Sequence, residues 1–537
     1  MRADKSAPLI NQPPAKSAIE YRRLRAPQLH GETLQVPSLS EAADLWSANL
    51  ALNHDHVSLG EISLAKLQQL GRAEVVDQAV AYTGQYLNVE SPIRSAEKIL
   101  MAGHQPELFH PGVWYKNFAL SHLAKQFDGI AINLIVDNDI CGNTSIRFPN
   151  VDGDNVSVGT IPITQPGPNV PFEARQIEDI AFFEKFPSRV GKAIKPLVEH
   201  PLVDRLWQQI ADGRQQLGEI RLGQALAMGR HRLENEIGLA TLEVPLSLVS
   251  QTEAFAIFAK SVLMEIERFQ TVYNTALNEF REIHKVRSRS HPVPELESDG
   301  DWIECPFWIW DTDQPNRRRL FIRQLEGLIH LTDRAGWRVE MAPKTFCEQF
   351  QSLSKQGFAI RPKALMTTMF SRLILSDLFL HGIGGAKYDQ LTDVIATRFF
   401  KAVPPNFMTL SATMKLKHNL ETAEPNDIAR IDPLIRELRF HPELHIRPEM
   451  LAQAQGFIDA KQEWIGESNS QQNSKARHDS MARLNDQLRA FVEPSVEEAM
   501  MTKKRMQSRL RASEILNSRE YSFCLFPETL IEDLGQF

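Results

Sequence analysis

Two short apolar runs on either side of an amphipathic stretch constrain the fold more than any other feature of the sequence. Residues 99–102 are apolar and lead into Gly103. Residues 113–126 carry apolar side chains at helical spacing, and residues 130–136 are again apolar. A strand, a tight turn, a helix and a second strand form a βαβ unit with parallel strands and a right-handed crossover. The sequence therefore predicts an α/β protein built on a parallel sheet.

A similar pattern returns late in the chain, which predicts one sheet assembled from two separate segments. The predicted elements are, in order, a strand over 358–366, a helix over 368–377, a strand over 378–383, a helix over 387–400 and a strand over 407–410. The expected architecture is a Rossmann-like, doubly wound sheet split by a large insertion.

The remaining segments complete a prediction of six regions. The two halves of the core are residues 96–140 and 356–440. The other four regions are a mainly helical N-terminal extension (1–95), an insertion of helices with a small antiparallel sheet (141–355), a helical hairpin or coiled coil (441–516) and a C-terminal strand that returns to the core (517–537).

Local signals add detail to two of these regions. In the insertion, residues 301–332 are predicted to form three short antiparallel strands, with a turn at Gln314-Pro315-Asn316. In the helical region, Ser495 to Glu498 follows Pro494 and resembles a capping box, which predicts a new helix there. The C-terminal edge strand is predicted over residues 521–526.

Composition and charge narrow the classes of function. The formal net charge of −7 disfavours a protein that binds nucleic acid by neutralising phosphates, and a small-molecule substrate is expected instead. The four cysteines lie far apart without a CxxC pair, which is typical of reduced thiols rather than of a disulfide framework or a zinc site. They are Cys141, Cys305, Cys347 and Cys524. No secretory signal and no long apolar run is present, so the protein is expected to be cytoplasmic, with no membrane partner.

The loop that follows the first predicted strand is the first candidate site, because ligands of open α/β sheets bind at the carboxyl ends of strands. It combines a glycine, two histidines six residues apart, two prolines and a lysine before and within the start of a helix. Free N–H groups at a helix start favour a phosphate. The alternative role of each histidine is to cap backbone carbonyls. The predicted site residues are Gly103, His104, Gln105, Pro106, His110, Gly112, Lys116 and Asn117.

The segment from His381 to Asp389 is the second candidate site, since three glycines follow a strand and precede a helix. Such glycines allow a ligand close to the backbone, although the segment lacks a full G-x-G-x-x-G motif. The alternative is a tight turn that requires positive φ. The predicted binding residues are His381, Gly384, Gly385, Lys387, Tyr388 and Asp389.

Four further residues are candidates at the ends of other predicted strands. Asp137 and Asp139 close the second strand, where carboxylates can orient an amine or cap the chain. Arg361 and Lys363 lie on the strand that opens the second half, and either face a phosphate or flank the sheet. No zinc-protease, P-loop or G-x-S-x-G motif is present, and no spacing of histidines and carboxylates predicts a metal site.

A run of arginines and a cluster of aromatic residues are interpreted as structural. The side chains of Arg317-Arg318-Arg319 are expected to be solvated or ion-paired, with closure over the site as the alternative. The aromatic cluster is expected to lie in the core and contains Trp302, Phe307, Trp308 and Trp310.

The strand-end segments resemble those of the bacillithiol biosynthesis cysteine-adding enzymes, and the chain looks closest to a divergent, mostly uncharacterised branch of that family. Gly103 to Pro106 leads through Pro111-Gly112 to Lys116, where the family has a Gly-Gln-Gln-Pro or Gly-Gln-Gln-Ala loop, a Gly-Pro and a helical lysine. Residues 136–139 stand in place of the family's acidic stretch. Ile360 to Pro362 and His381 to Gly385 match its Leu-Arg-Pro strand and its strand ending in Gly-Gly, in order and spacing.

This resemblance implies a Rossmann-type core related to class I nucleotidyltransferases, and a coiled coil that pairs two subunits into a homodimer. It implies ligation of cysteine to the amino group of a glucosaminyl-malate, with ATP or ADP as the nucleotide and no metal. The residues expected to act in catalysis are His104, His110, Lys116, Asp137 and Asp139. The chain departs from the family at four places, which are His104 in place of Gln, the presence of His110, the altered acidic stretch at 136–139, and Ala386 to Asp389 in place of acidic residues.

The leading interpretation is a ligase that forms an amide between cysteine, or another amino acid, and an amino-sugar-type acceptor after nucleotide activation. One alternative is a nucleotidyltransferase, because His110-Pro111-Gly112-Val113 resembles the His-x-Gly-His motif in three of four positions. The other alternative is a non-catalytic nucleotide- or metabolite-binding protein that acts through its coiled coil.

Overall fold

The computed structural model of the protein describes residues 19–21, 23–89, 98–142, 144–153, 155–468 and 470–536, so part of the predicted N-terminal extension lies outside the described residues. The strands are β1 (Thr33–Val36), β2 (Ser58–Leu59), β3 (Ile62–Ser63), β4 (Ile99–His104), β5 (Ile130–Ile135), β6 (Ser145–Asp152), β7 (Asn155–Pro162), β8 (Leu242–Pro245), β9 (Ser298–Asp299), β10 (Trp302–Asp311), β11 (Arg318–Leu325), β12 (Leu328–Thr332), β13 (Arg338–Met341), β14 (Phe358–Pro362), β15 (Leu378–His381) and β16 (Phe407–Ala412).

Helices connect these strands and dominate the C-terminal region. The α-helices are α1 (Ala42–Leu50), α2 (Leu64–Thr83), α3 (Pro111–Phe127), α4 (Ile180–Glu184), α5 (Phe186–Ile194), α6 (Val203–Leu217), α7 (Leu222–Glu236), α8 (Leu246–Val249), α9 (Glu253–Leu263), α10 (Ile266–Ile283), α11 (Phe346–Lys355), α12 (Ala364–Phe370), α13 (Ile383–Ile395), α14 (Pro425–Phe440), α15 (Leu451–Gly466), α16 (Ser474–Arg489), α17 (Glu493–Leu516) and α18 (Thr529–Leu534). Short 3-10 helices span Leu39–Glu41, Pro343–Thr345, Pro442–His445, Pro448–Met450 and Phe523–Leu525, and π-helical turns at Ser371–Leu375 and Ala396–Phe400 extend α12 and α13. None of the described helices is long and apolar enough to cross a membrane.

The central sheet has six strands in the order β1-β16-β15-β4-β5-β8. All neighbours are parallel except β1, which runs antiparallel to β16. From β4 the chain moves through β5 to β8 on one side, and β15 and β16 later add to the other side. The strand order therefore reverses between β4 and β15. The predicted α/β fold, with a parallel sheet drawn from two separate segments, is confirmed.

The first βαβ unit forms where its apolar pattern predicts. The side chains of Ile99 to Ala102 are all buried, as expected for a parallel strand covered on both faces. Helix α3 begins with His110 as its N-cap and Pro111 in its first turn, a favourable position for proline, which needs no N–H partner there. The helix ends at Asp128 in a left-handed conformation, and the chain then enters β5.

A large apolar core joins the central sheet to the segments that separate its two halves. Met101 and Val244 of the sheet belong to the same buried cluster as Phe258 of α9 and Ile309 of β10. Strand β10 lies in a second, antiparallel sheet of order β13-β12-β11-β10-β14. The predicted antiparallel strands within residues 301–332 correspond to β10, β11 and β12.

Two strand assignments from the sequence need correction. The run at 358–366 was expected to open the second half of the parallel sheet, but β14 pairs antiparallel with β10 in the other sheet. An apolar run indicates a buried strand but does not specify the strand with which it pairs. Conversely, Leu242–Pro245 falls inside the predicted insertion yet forms β8 at the edge of the parallel sheet. This strand of four residues is too short to show a periodic pattern.

The chain divides into two compact units. The first contains the residues up to 147, 160–414 and those from 519 onward, and the second contains 148–159 and 415–518. In the second unit α14 packs against α17 and α15 against α16, around a small core that includes Leu438, Leu488 and Val492. The helix predicted after Pro494 begins at Glu493 instead, with Pro494 in its first turn.

The predicted C-terminal strand over 521–526 is wrong. A 3-10 helix at Phe523–Leu525 occupies this segment, and helix α18 follows it. Its aromatic side chains pack against α3 instead of pairing with a strand, since the ring centroids of Phe523 and Trp114 lie 4.4 Å apart. The Phe523 N–H donates to the Phe109 carbonyl at 2.9 Å. The segment therefore returns to the core, but without joining a sheet.

Candidate active site

A cavity of about 660 Å3 lies at the carboxyl ends of β4 and β15, where the strand order reverses. This is the position at which open α/β sheets bind their ligands. Both candidate segments line it. The predicted site residues in its wall are Gly103, His104, Gln105, His110, Gly112, Lys116, Asp139, Lys363, His381, Gly384 and Gly385. We call it the switch-point cavity.

His104 is the last residue of β4 and is uncharged at neutral pH. Burial lowers its pKa to about 3, and the nearby ammonium of Lys116 contributes. Its Nδ1 donates to the Gln105 carbonyl at 3.2 Å, so Nε2 of the neutral ring is an acceptor. The ring packs edge-on against Phe109, with centroids 5.1 Å apart. His104 therefore presents a neutral, fixed imidazole at the end of the strand.

His110 both caps a helix and lines the cavity. Its Nδ1 accepts the N–H of Gly112 at 3.1 Å, which satisfies one free donor at the start of α3. The proton of the neutral ring is then on Nε2, which lies 3.8 Å from a carboxylate oxygen of Glu520. Burial lowers the pKa of His110 to about 4, although Glu520 acts in the opposite direction. His110 therefore lines the cavity, and its capping contact is with a backbone N–H and not with a carbonyl as the alternative role predicts.

Lys116 lies in the second turn of α3 and is almost fully buried. Its Nζ donates to the Gly103 carbonyl at 2.9 Å. Burial lowers the pKa of Lys116 to about 8, and Arg230 adds to this effect. Arg230 is held in turn by the carboxylates of Glu234 and Glu243. A compensated ionic network therefore lies beneath the lysine.

Asn117 belongs to this network instead of the cavity. Its Nδ2 donates to Glu234 Oε1 at 2.7 Å, and Trp114 Nε1 donates to the same oxygen at 2.7 Å. Both side chains anchor α3 from behind. The prediction that Asn117 binds a ligand is therefore replaced by a structural role.

His381 ends β15 and is held by an acidic partner. Its Nε2 donates to Asp389 Oδ2 at 2.9 Å, and the same oxygen forms an ion pair with Arg372. Burial lowers the pKa of His381, although Asp389 opposes the shift. Burial disfavours the charge on Asp389, but Arg372 and His381 outweigh it and hold its pKa below the ordinary value. Asp389 therefore fixes the orientation of a histidine in the cavity wall without lining the cavity itself.

Gly384 and Gly385 lie in the first turn of α13, and neither has a positive φ. The tight-turn alternative is therefore wrong. A Cβ on Gly385 would lie 2.8 Å from His381 Nδ1, so this position needs glycine for close packing. A Cβ on Gly384 would meet nothing within 4 Å. Gly384 leaves open space at the start of a helix, where N–H groups favour an anion.

Five other predicted site residues also lie outside the wall of the switch-point cavity. Pro106 is buried near Gly223 of α7. Asp137 caps α8, accepting the Ser247 N–H at 2.9 Å and its hydroxyl at 2.5 Å. Burial and the neighbouring Glu173 raise the pKa of Asp137 to about 7.

Arg361, Lys387 and Tyr388 complete this group. Arg361 forms an ion pair with Glu173 at 3.0 Å and lines a separate cavity of about 610 Å3. Tyr388 pairs with His291 through its hydroxyl, and Lys387 Nζ lies 5.5 Å from the centre of the Tyr388 ring. The crowding of these types in the sequence therefore does not reflect one site, because successive helical residues point in different directions.

Sequence reasoning missed one side of the cavity. Arg317 binds Asp139 at 3.0 Å and lies over the Trp308 ring, 4.5 Å from its centre. Lys363 lies 4.7 Å from the centre of the same ring and pairs with Glu304 at 2.5 Å. Gln105 Nε2 also donates to Asp139, at 3.0 Å. Arg317 is therefore ion-paired, as expected from the sequence, and it also lines the site, whereas Trp308 was expected in the core and lines the site instead.

Arg519 also lines the cavity, and it comes from the far end of the chain. Its Nη2 donates to the Ser411 hydroxyl at 2.8 Å, whereas its Nη1 is buried and has no hydrogen-bond partner. A Cβ on Gly112 would lie 2.4 Å from Arg519 Nη2 and 2.3 Å from the Ala412 carbonyl oxygen. Gly112 therefore makes room for the guanidinium at the start of α3.

The site as a whole favours anions. The cations Lys116, Arg317, Lys363 and Arg519 line it, and α3 and α13 begin at its edge. Asp139 and Glu520 are the acidic side chains in the wall. Phosphate or carboxylate groups of a cofactor or substrate fit the start of α13 together with Lys116 and Arg519. Among the described residues no cluster of three or more His, Cys, Asp or Glu side chains is arranged to hold a metal ion.

Comparison with known proteins does not identify a function, so any functional assignment rests on the side chains described above. No family model and no curated protein matches this chain.

Proposed function

We propose that this protein is an enzyme that binds an anionic metabolite in the switch-point cavity and joins a carboxyl group to an amine after nucleotide activation. One observation carries the proposal. Buried Lys116, half-buried Arg519 and the start of α13 converge on a single cavity that also contains the two neutral imidazoles of His104 and His110.

Two cationic side chains in the cavity, those of Arg519 and Lys116, support the binding of an anion. Arg519 Nη1 is buried without a hydrogen-bond partner, and such a donor gains most when a ligand oxygen reaches it. Lys116 contacts a backbone carbonyl instead of a carboxylate. Cavities of about 300–1,000 Å3 are usual for small-molecule ligands, and a volume of about 660 Å3 lies within that range.

Amide formation between a free carboxylate and an amine is uphill in water, so a nucleoside triphosphate is the expected co-reactant. It converts the carboxylate into an acyl phosphate or acyl adenylate. The amine nitrogen then forms the new C–N bond, the bond from carbon to the phosphate oxygen breaks, and the phosphate group leaves with that electron pair. One amine proton passes to an imidazole. Lys116 and the start of α13 stabilise the charge that develops on the departing group.

Histidines that are neutral at the start of the reaction suit this chemistry. A neutral ring can accept a proton from the attacking amine, whereas a protonated ring cannot. His104 has its acceptor nitrogen Nε2 free of the Gln105 contact, and His110 has an N–H there. Asp139, tied to Gln105 and Arg317, is the carboxylate suited to orient the amine. The likeness to cysteine-adding enzymes supports cysteine, or a similar amino acid, and an amino-sugar-type acceptor.

Nucleotidyl transfer without amide formation is the second candidate. The segment from His110 to Val113 favours it, because it resembles the His-x-Gly-His motif. The packing around Gly112 disfavours it. The space in front of Gly112 is filled by the Ala412 carbonyl and the Arg519 guanidinium, so a nucleotide lying on this glycine would have to displace both.

The proposed reaction is tested with purified protein, ATP, cysteine and glucosaminyl-malate. Mass spectrometry is expected to detect the amide in the complete mixture and not with Lys116→Met protein. Formation of an adenylated or phosphorylated product without amide would support nucleotidyl transfer. The cysteine assignment is tested separately by comparing low-molecular-weight thiols in a deletion strain and its parent. If no thiol changes, cysteine is the wrong carboxyl donor.

A further inference from the structure

Three histidines line the switch-point cavity, namely His104, His110 and His381. A base must take up a proton and then be stabilised as a cation. For His104 and His110 no carboxylate lies within hydrogen-bond distance of the ring. His104 donates to the Gln105 carbonyl, and His110 Nε2 lies 3.8 Å from Glu520. These two neutral rings therefore lack a direct partner for the charge that a proton would add.

His381 differs because one of its ring nitrogens contacts a carboxylate. Nε2 lies 2.9 Å from Asp389 Oδ2 and must carry the proton, so Nδ1 is the acceptor. Among the described residues, Nδ1 has no hydrogen-bond partner. A Cβ on Gly385 would lie 2.8 Å from Nδ1, and both residues line the cavity. Glycine at this position therefore leaves the acceptor nitrogen open to a ligand.

The imidazole of His381 is held in one orientation. The rings of Phe379 and Phe407 lie 4.6 Å and 4.8 Å from it, and the oxygen of Asp389 that holds it also pairs with Arg372. In serine hydrolases the base is arranged in the same way, with one imidazole nitrogen on a carboxylate and the other toward the reacting group. The side chain of His381 is therefore organised as a base.

Three charged groups act on the His381 ring. Burial lowers its pKa, Asp389 raises it, and Arg372 and Lys116 lower it further. The ring is therefore neutral at pH 7, as an acceptor must be. Once the ring is protonated, the carboxylate of Asp389 lies in direct contact with the cation and stabilises it.

We propose that His381 is the catalytic base of the reaction and that Asp389 is the positioning residue that holds it. This inference rests on the proposed function. The amine nitrogen forms the C–N bond to the activated carboxyl carbon, and one amine proton passes to His381 Nδ1. The bond from that carbon to the phosphate oxygen breaks, and the phosphate group leaves with the electron pair. The imidazolium, held by Asp389, then releases its proton to solvent.

The inference is tested by the rate of amide formation from ATP, cysteine and glucosaminyl-malate. His381→Gln is expected to lower kcat at least 100-fold, because a positioned base contributes about 100- to 10,000-fold. The KM values and the affinity for malate, an anionic probe of the cavity, should stay within threefold of wild type. His330→Gln is the matched control and should keep kcat within twofold. His330 is also buried and lies 3.0 Å from a carboxylate oxygen of Glu340, but it is outside the cavity wall.

Two further measurements separate catalysis from a structural role. Added imidazole should raise kcat of His381→Ala at least tenfold and leave wild type unchanged, because the free base occupies the space of the missing ring. Asp389→Asn, assayed well below its unfolding temperature, should lower kcat at least tenfold while the KM values stay within threefold.

The outcomes distinguish this inference from the proposed function. If wild type forms the amide and His381→Gln loses less than 100-fold in kcat, His381 is not the base and the proposed function stands. Loss of malate binding in both His381→Gln and His381→Ala, with no rescue by imidazole, would show a structural role and overturn the inference. If wild type forms no amide, the proposed function fails and this inference fails with it.

Discussion

Lys116 Nζ donates a 2.9 Å hydrogen bond to the carbonyl oxygen of Gly103, which ties the second turn of α3 to the end of β4. The contact places a buried ammonium at the edge of the switch-point cavity. The hydrogen-bond partner is a neutral carbonyl, so no carboxylate offsets the cost of burying the charged ammonium at this contact. Burial therefore lowers the pKa of Lys116 to about 8. A ligand anion that approaches this ammonium would raise the pKa again.

Anion binding is therefore expected to depend on pH above neutrality. Malate is fully ionised above pH 7, so its own charge does not change there. With Lys116 titrating near pH 8 in the free protein, the affinity should be constant below pH 8 and fall up to tenfold per pH unit above it. Calorimetry in buffers of different ionisation enthalpy should show proton uptake at pH 8.5. Lys116→Met should bind more weakly and without this pH dependence, and a flat wild-type profile from pH 7 to 10 would contradict the prediction.

His104 is expected to make the protein sensitive to acid. Its pKa is about 3 in the folded protein against an ordinary value of 6.5, so the unfolded chain takes up the proton first. Its contribution to stability is full above pH 6.5 and is lost as the pH falls from 6.5 toward 3. Between pH 7 and pH 5 the wild type should lose about 2 kcal/mol more than His104→Gln. Urea denaturation of both proteins at the two pH values measures this difference, and equal losses would show that His104 is not buried as described.

Asp389 is expected to stabilise the fold more than its neighbours on the same helix. Asp389→Asn leaves the buried Arg372 with one carboxylate, that of Asp393, and weakens the hydrogen bond to His381. Removing one partner of a buried pair costs about 3–5 kcal/mol, and the remaining carboxylate places the expected loss near the lower limit. Lys387→Ala, two residues away and half-buried, should change the free energy of unfolding by less than about 0.5 kcal/mol. A loss below about 1 kcal/mol for Asp389→Asn would refute the buried ion pair.

The adjacent glycines of α13 should respond differently to the same substitution. Gly384→Ala meets nothing within 4 Å and adds a better helix former, so a gain of about 0.5–1 kcal/mol is expected. Gly385→Ala would bring a methyl group within 2.8 Å of His381 Nδ1. His381 cannot easily move, because the rings of Phe379 and Phe407 lie 4.6 Å and 4.8 Å from it, so a loss of about 1–3 kcal/mol is expected. Thermal unfolding of the two variants distinguishes them, and similar behaviour would contradict the close contact.

The fold could be predicted where the local sequence pattern indicates both the type of element and its place in the sheet. The apolar run at 99–102, the helical spacing that follows and the glycines after β15 predict both the parallel sheet and the edge at which the site lies. Local pattern does not specify the partner of a strand, and for this reason β14 was assigned to the wrong sheet. It also missed β1 and β8, which are the two edge strands of the central sheet.

The candidate site was predictable only along the two segments that end at the switch point. His104, His110, Lys116 and His381 were identified because each lies directly beyond a strand or at the start of the next helix. Arg519 follows a long helical region, and its approach to Gly112 depends on tertiary packing alone. Arg317 is one of three consecutive arginines, and only its contact with Asp139 and Trp308 separates it from a solvated charge.

The central claim is that the switch-point cavity binds the anionic substrate, and calorimetry with malate and pyrophosphate at pH 7 tests it most directly. The double variant Lys116→Met/Arg519→Gln removes two cations from the cavity. Lys185→Met/Arg221→Gln makes the same chemical changes at two exposed positions outside it and serves as the matched control. Wild type and control are expected to bind with equal affinity, and the double variant at least 100-fold more weakly. Equal binding by all three proteins would contradict the account.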